Sequence, residues 1–89
     1  MIKVLDFYAD WCGPCKMMDP IIAEVETELK GKLSIEKINV DEKTEIAQKY
    51  GVMSIPTYVI VKDEKEIGRM IGYVPKHEFR TKLDTYLVE

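Results

Sequence analysis

The only cysteines of the chain, Cys12 and Cys15, stand together in Trp11-Cys12-Gly13-Pro14-Cys15. Within one chain they can pair only with each other. A disulfide stabilises mainly by closing a long loop of the unfolded chain, and a ring holding only Gly13 and Pro14 makes this pair a poor staple. A closed zinc site asks for about four ligands. The single histidine, His77, lies far along the chain and reads as a solvated surface residue, so no metal is expected. Reversible thiol–disulfide exchange is the chemistry left to the pair.

If a helix starts at about Gly13, its unpaired amides and the positive end of its dipole point at the Cys12 sulfur. That sulfur then takes the place of an N-cap acceptor. The thiolate is favoured there, and the thiolate is the attacking species. Cys12 is therefore expected to be exposed and nucleophilic, with Cys15, one turn inward, shielded and resolving. A spacing of three residues puts both side chains on one side of the first turn, close enough for a disulfide, and Pro14 is tolerated there.

The surrounding sequence supplies elements to hold such a turn. Lys3 to Ala9 reads as a buried strand that ends just before the cysteines. Met18, Ile21, Ile22, Val25 and Leu29 recur at helical spacing, with Pro20 expected to kink the helix and Gly31 to stop it. Glu24, Glu26, Glu28 and Lys30 read as its solvated face. Leu33 to Val40 alternates as a strand, Asp41 is placed to cap a short helix carrying Ile46, Ala47 and Tyr50, and Gly51 ends it. Thr57 to Val61 predicts a central strand and Glu66 to Gly72 its hairpin partner. A last helix after Pro75 turns Phe79, Leu83, Tyr86 and Leu87 inward. The order βαβ, then helix, then ββα predicts an α/β sheet whose first two strands are parallel and last two antiparallel.

At 89 residues, 46% hydrophobic and 33% charged, the chain is expected to form one globular domain over residues 1–89. Thirteen Lys and Arg against sixteen Asp and Glu leave a net charge of −3, which argues against nucleic-acid partners. The amino-terminal stretch meets a carboxylate at Asp6, too early for a signal-peptide core, and no apolar run reaches membrane-spanning length. A soluble, cytoplasmic protein without membrane partners is expected, as a monomer.

The stretch Trp11 to Met17, with Asp6-Phe7-Tyr8-Ala9 before it and Ile55-Pro56-Thr57 after it, closely resembles the active-site signature of the thioredoxin family. The resemblance extends through Pro20, Lys37-Ile38-Asn39-Val40-Asp41, Tyr50-Gly51-Val52 and Gly72. It implies a minimal thioredoxin fold with a four-stranded mixed sheet in the order 2-1-3-4. Helices near 13–30 and 76–88 are expected on one face, and one near 43–50 on the other. It implies a protein-disulfide reductase with no bound cofactor beyond its redox-active Cys12–Cys15 disulfide, recharged by a thioredoxin reductase or an equivalent electron donor. By the same resemblance Asp6 is the buried carboxylate that accepts the Cys15 proton, and Lys37 is the lysine that approaches it. A carboxylate amid Val4, Leu5 and Phe7 should also be harder to ionise. Ile55-Pro56 matches the family's cis-proline loop, whose Ile55 backbone is free to pair with an extended substrate, and Trp11, Gly13, Pro14, Gly72 and Tyr73 complete an apolar surface around it.

The chain departs from the family's pattern at Tyr8, where tryptophan is frequent, and at Ser54 and Glu64, where glycine is frequent. These changes bear on partner preference and turn type. The sequence also begins without the opening strand and helix of most thioredoxins, so Leu33 to Val40 is expected as a sheet edge guarded by Glu36 and Lys37. Three other readings stay open: glutaredoxin-like or oxidising exchange, a non-catalytic subunit that binds proteins through the same loops, and an iron–sulfur bridge between two chains.

Overall fold

The computed structural model describes residues 1–87. Strand β1 (Ile2–Tyr8) is the hub of the sheet, because its side chains are apolar on both faces. It pairs in parallel with β2 (Leu33–Asn39), Ile2 opposite Leu33 through Tyr8 opposite Asn39. On its other side it runs antiparallel to β3 (Thr57–Lys62), with Asp6 opposite Tyr58. β3 turns into β4 (Lys65–Ile71), giving among the described residues four strands in the order β2-β1-β3-β4.

Alternation along the strands sends Val4, Tyr58, Ile60 and Met70 to one face. There they meet Met18, Ile22 and Val25 of helix α1 (Gly13–Glu28) and Phe79 and Leu83 of helix α3 (Lys76–Leu87). The Tyr58 and Phe79 rings meet edge to face, 5.1 Å apart. The opposite face gathers Leu5, Phe7, Ile38, Val59 and Val61 under Ala47 of helix α2 (Thr44–Lys49). The placement of two helices on one face and one on the other thus follows from which parity of each strand is apolar.

Helix α1 continues through Pro20, whose missing N–H removes only one rung of the ladder. Its acidic side is exposed, as the sequence suggests, and also carries ion pairs to the last helix. Lys76 Nζ lies 3.1 Å from Glu24 and 2.6 Å from Glu28, and Arg80 lies 2.6 Å from Glu28, so those two glutamates tie α1 to α3. The β2 edge carries an ion pair, Lys3 to Glu36 at 3.0 Å, which places charge where another strand would otherwise add.

At the β3–β4 hairpin, Asp63 and Glu64 both have left-handed backbones, with φ of 52° and 67°. This is the geometry a two-residue hairpin turn demands, reached here without glycine. Ile60 faces Gly68 while Val61 faces Glu66, so Ile67 is the extra residue of a bulge. A Cβ at Gly68 would strike the Tyr86 ring, which explains glycine inside this strand. Since a left-handed conformation strains most side chains, Glu64→Gly should raise stability by about 1 kcal/mol. Urea unfolding checks this, and an unmoved or lower midpoint would count against strain at the hairpin tip.

Candidate active site

The chain leaves β1 at Tyr8, turns over Ala9-Asp10-Trp11 and enters α1 with Cys12 as its N-cap residue. Cys12 is extended (φ −86°, ψ 108°), its amide donates to the Ala9 carbonyl at 3.2 Å, and Gly13 and Pro14 fill the first positions of the helix. In that geometry the Cys15 amide donates to Cys12 Sγ at 3.2 Å. The capping role expected of the sulfur is therefore met. Cys12 and Cys15 are joined as a disulfide, their Cα atoms 5.3 Å apart.

The expectation of an exposed Cys12 is corrected by the structure. Cys12 is 4% exposed and Cys15 5%, because Ala9, Tyr8, Val40 and Ile55 pack around the bonded pair. Access does not separate the sulfurs in this oxidised form. Their positions relative to the helix terminus do.

The Ile55–Pro56 peptide is cis. Thr57 Oγ1 donates to the Ser54 carbonyl at 2.6 Å and the Gly72 amide to the Pro56 carbonyl at 2.8 Å, so the end of β4 is tied to this loop. Gly72 has φ +86°, a backbone that a side chain would strain. Around the pair stands a rim of exposed apolar groups: Trp11 at 70%, Met53 at 94% and Tyr73 at 48%. An apolar groove of about 380 Å³ runs beside it, lined by Trp11, Val40, Ala47, Val52, Met53 and Ile55.

Trp11 is held by its indole N–H, which donates to Asp41 Oδ2 at 2.8 Å. That bond overturns the expected role of Asp41 as the cap of α2. The helix begins instead at Thr44, after Lys43, with no side-chain cap. Asn39 arranges this segment, its side chain accepting the Asp41 amide at 2.9 Å and its carbonyl the Lys43 amide at 2.8 Å.

Asp6, 3% exposed, shares with Val4 the face of β1 that α1 covers with Met18, Ile22 and Val25. Burial pushes its carboxyl up to about 6, against the lowering effect of Lys37 and with a smaller upward push from Asp19. The same burial, with the charges of Asp6 and Asp19, holds the Tyr58 phenol well above its ordinary range. Register sets Lys37 directly across from Asp6, as the sequence suggests. Its ammonium, however, bonds Asp19 Oδ1 at 3.3 Å and sits 4.9 Å from the centre of the Tyr8 ring. Asp19 is the group that sequence reasoning missed. Its signal was faint: one more carboxylate on a helix, four residues after Cys15 and just before Pro20. His77 is exposed, and among the described residues no three His, Cys, Asp or Glu side chains gather as a metal site would require.

A family model described as Thioredoxin matches residues 1–85. Proteins named Thioredoxin from Staphylococcus aureus strains Mu50, MW2 and N315 are each 42% identical to the chain over 86 residues. Those matches cover 97% of this chain and 83% of each relative.

The buried carboxylate makes stability depend on pH with a defined sign. Folding raises the pKa of Asp6 from 3.8 to about 6, so the folded state holds an extra proton between those values. The neutral form's contribution is complete below pH 3.8 and is lost as pH rises through about 6. Asp6→Asn should therefore add about 1 to 3 kcal/mol at pH 7.5 and little near pH 4. Urea titrations of both proteins across that range test this, and a pH-independent difference would contradict it.

Proposed function

The chain belongs to the thioredoxin family, and from that premise we propose how its residues divide the work of a thiol–disulfide oxidoreductase. The observation that carries the proposal is the sulfur of Cys12 at the N-cap of α1, bonded to Cys15 beside the cis Ile55–Pro56 loop. In the reduced protein the helix amides favour the Cys12 thiolate, which attacks one sulfur of a substrate disulfide. A Cys12–substrate disulfide forms and the substrate's other sulfur leaves as thiolate, to be protonated. Cys15 gives its proton to Asp6, attacks the Cys12 sulfur and expels the second substrate thiolate. Two electrons have passed to the substrate, the protons of the two thiols follow them, and the Cys12–Cys15 disulfide remains. A thioredoxin reductase or equivalent donor returns two electrons and two protons.

In this reading Asp6 is the proton acceptor and Lys37 the cation that offsets its burial. A group near pH 6 can take a thiol's proton and yield it again near neutrality. Ile55 offers its backbone to an extended substrate segment next to Pro56, and Trp11, Gly13, Pro14, Gly72 and Tyr73 form the surface on which that segment lies. The exposure of Trp11 and Tyr73 supports this assignment. No helix among the described residues is long and apolar enough to cross a membrane. The likeness to thioredoxins and the charged β2 edge support a cytoplasmic monomer whose 89 residues work as one domain, and the acidic balance argues against nucleic-acid partners.

Cys15→Ser should leave the first attack intact and block the second, so that reducible mixed disulfides with substrate proteins accumulate. Cys12→Ser should trap far less. Capture by both variants alike, or complexes that resist thiol reductants, would reverse the roles or point to a non-catalytic clamp. Asp6→Asn should slow insulin reduction, driven by NADPH and a thioredoxin reductase, by about tenfold near pH 7. Equal turnover from pH 6 to 9 would remove Asp6 from the mechanism.

A further inference from the structure

One ammonium group has two carboxylates within its range. Lys37 stands opposite Asp6 in the parallel β1–β2 ladder and on the same face, so its side chain leaves the sheet beside that buried acid. Its ion pair is nonetheless made with Asp19 of α1, at 3.3 Å, above the ring of Tyr8. We propose that Asp19 is a positioning residue: by holding the Lys37 ammonium at the protein surface it governs how readily Asp6 takes up the Cys15 proton. The proposal rests on Asp6 as the proton acceptor and adds the group that adjusts it.

The burial of the partners explains the choice. The side chains of Lys37 and Asp19 are 49% and 56% exposed, so their pair keeps most of its hydration. Bonding Asp6, a residue 3% exposed, would draw the ammonium out of water. With Asp19 ionised, Lys37 keeps its water and an anion together, and Asp6 is left without a direct ion pair. Two effects then act in the same direction on Asp6: the negative charge of Asp19 opposes a second negative charge nearby, and the cation that would favour that charge is held away. Of the other titratable groups, Tyr58 on β3 lies across the ladder from Asp6, Tyr8 follows two residues on along the same face of β1, and the proposed mechanism brings in Cys15 of α1. Lys76 and Arg80 of α3 are engaged farther along α1, with Glu24 and Glu28.

Removing the Asp19 charge releases Lys37, which then acts on Asp6, its partner across the ladder, without a competing anion. Because an exposed ion pair contributes little to global stability, Asp19→Asn should fold normally. The Asp6 carboxyl carbon, assigned by its loss in Asp6→Asn, can be followed by NMR through a pH titration of the reduced protein. In Asp19→Asn its midpoint should fall by about half a pH unit or more, and Asp19→Glu should restore it. The acid limb of insulin reduction should move to lower pH by a similar amount, and Asp19→Asn should cause no such move in an Asp6→Asn background.

An Asp6 midpoint that stays or rises in Asp19→Asn overturns the role of Asp19, even if Asp6→Asn abolishes the limb. A limb that survives in Asp6→Asn overturns Asp6 as proton acceptor instead, and the NMR midpoint still decides whether Asp19 controls the ionisation of Asp6. A merely structural Asp19 would lower the unfolding midpoint and leave the titration in place.

Discussion

The Cys15 amide points at the Cys12 sulfur from 3.2 Å, which requires that the chain leave β1 extended at Cys12 and turn at once into α1. Much of the architecture serves this contact. A central strand paired on both sides fixes where the turn begins. Met18, Ile22 and Val25, buried against that strand's neighbours, fix the direction of the helix axis. Helix amides reward negative charge at that point, so in the proposed mechanism the scaffold itself favours Cys12 as the attacking sulfur. Burial gives no such preference, the two cysteines being equally covered when bonded.

Asp6 shows the opposite bargain. A carboxylate within an otherwise apolar layer opposes folding once it ionises, and its pKa near 6 records that opposition. The fold tolerates it because Lys37 lies across the ladder and because protonation is available at modest acidity. A permanently neutral side chain at this position would sit more comfortably in the core, but it could not take up the proton that the proposed mechanism assigns to Asp6. Asp19 keeps the cation close enough to limit the penalty and far enough away to leave the acid unpaired.

Much of this was legible from the residues. Strand identities and face assignments follow from apolar parity, as at Val4 against Leu5, and the order 2-1-3-4 follows from the family resemblance together with the succession of elements. The cysteine turn was readable because Gly-Pro spacing and helix start coincide. What escaped were choices between competing partners. Asp41 is a fair cap by local rules, but a tryptophan thirty positions away in sequence offers its indole at 2.8 Å, and no local pattern encodes that encounter. Lys37 was matched to the right neighbour on the ladder, yet a helix crossing above supplied a better hydrated anion. The coverage of Cys12 was likewise invisible, because Val40 and Ile55 reach it from separate segments.

Around the sulfurs the molecule divides into parts held by backbone and parts that project freely. Cys12, Pro56, Thr57 and Gly72 are fixed by main-chain bonds or by side-chain bonds to the main chain, so attack geometry changes little with the substrate. Met53 and Tyr73 project outward, and Met53 is almost wholly exposed on an unbranched, polarisable side chain that can adapt to differing surfaces. Trp11 stands between these classes, exposed like the rim but oriented by Asp41. The sulfur site therefore rests on the sheet and helix terminus, while the exposed apolar rim, to which the proposal assigns recognition, rests on side chains that project outward. Substitutions at Met53 should consequently change which proteins are reduced far more than how the disulfide exchange proceeds.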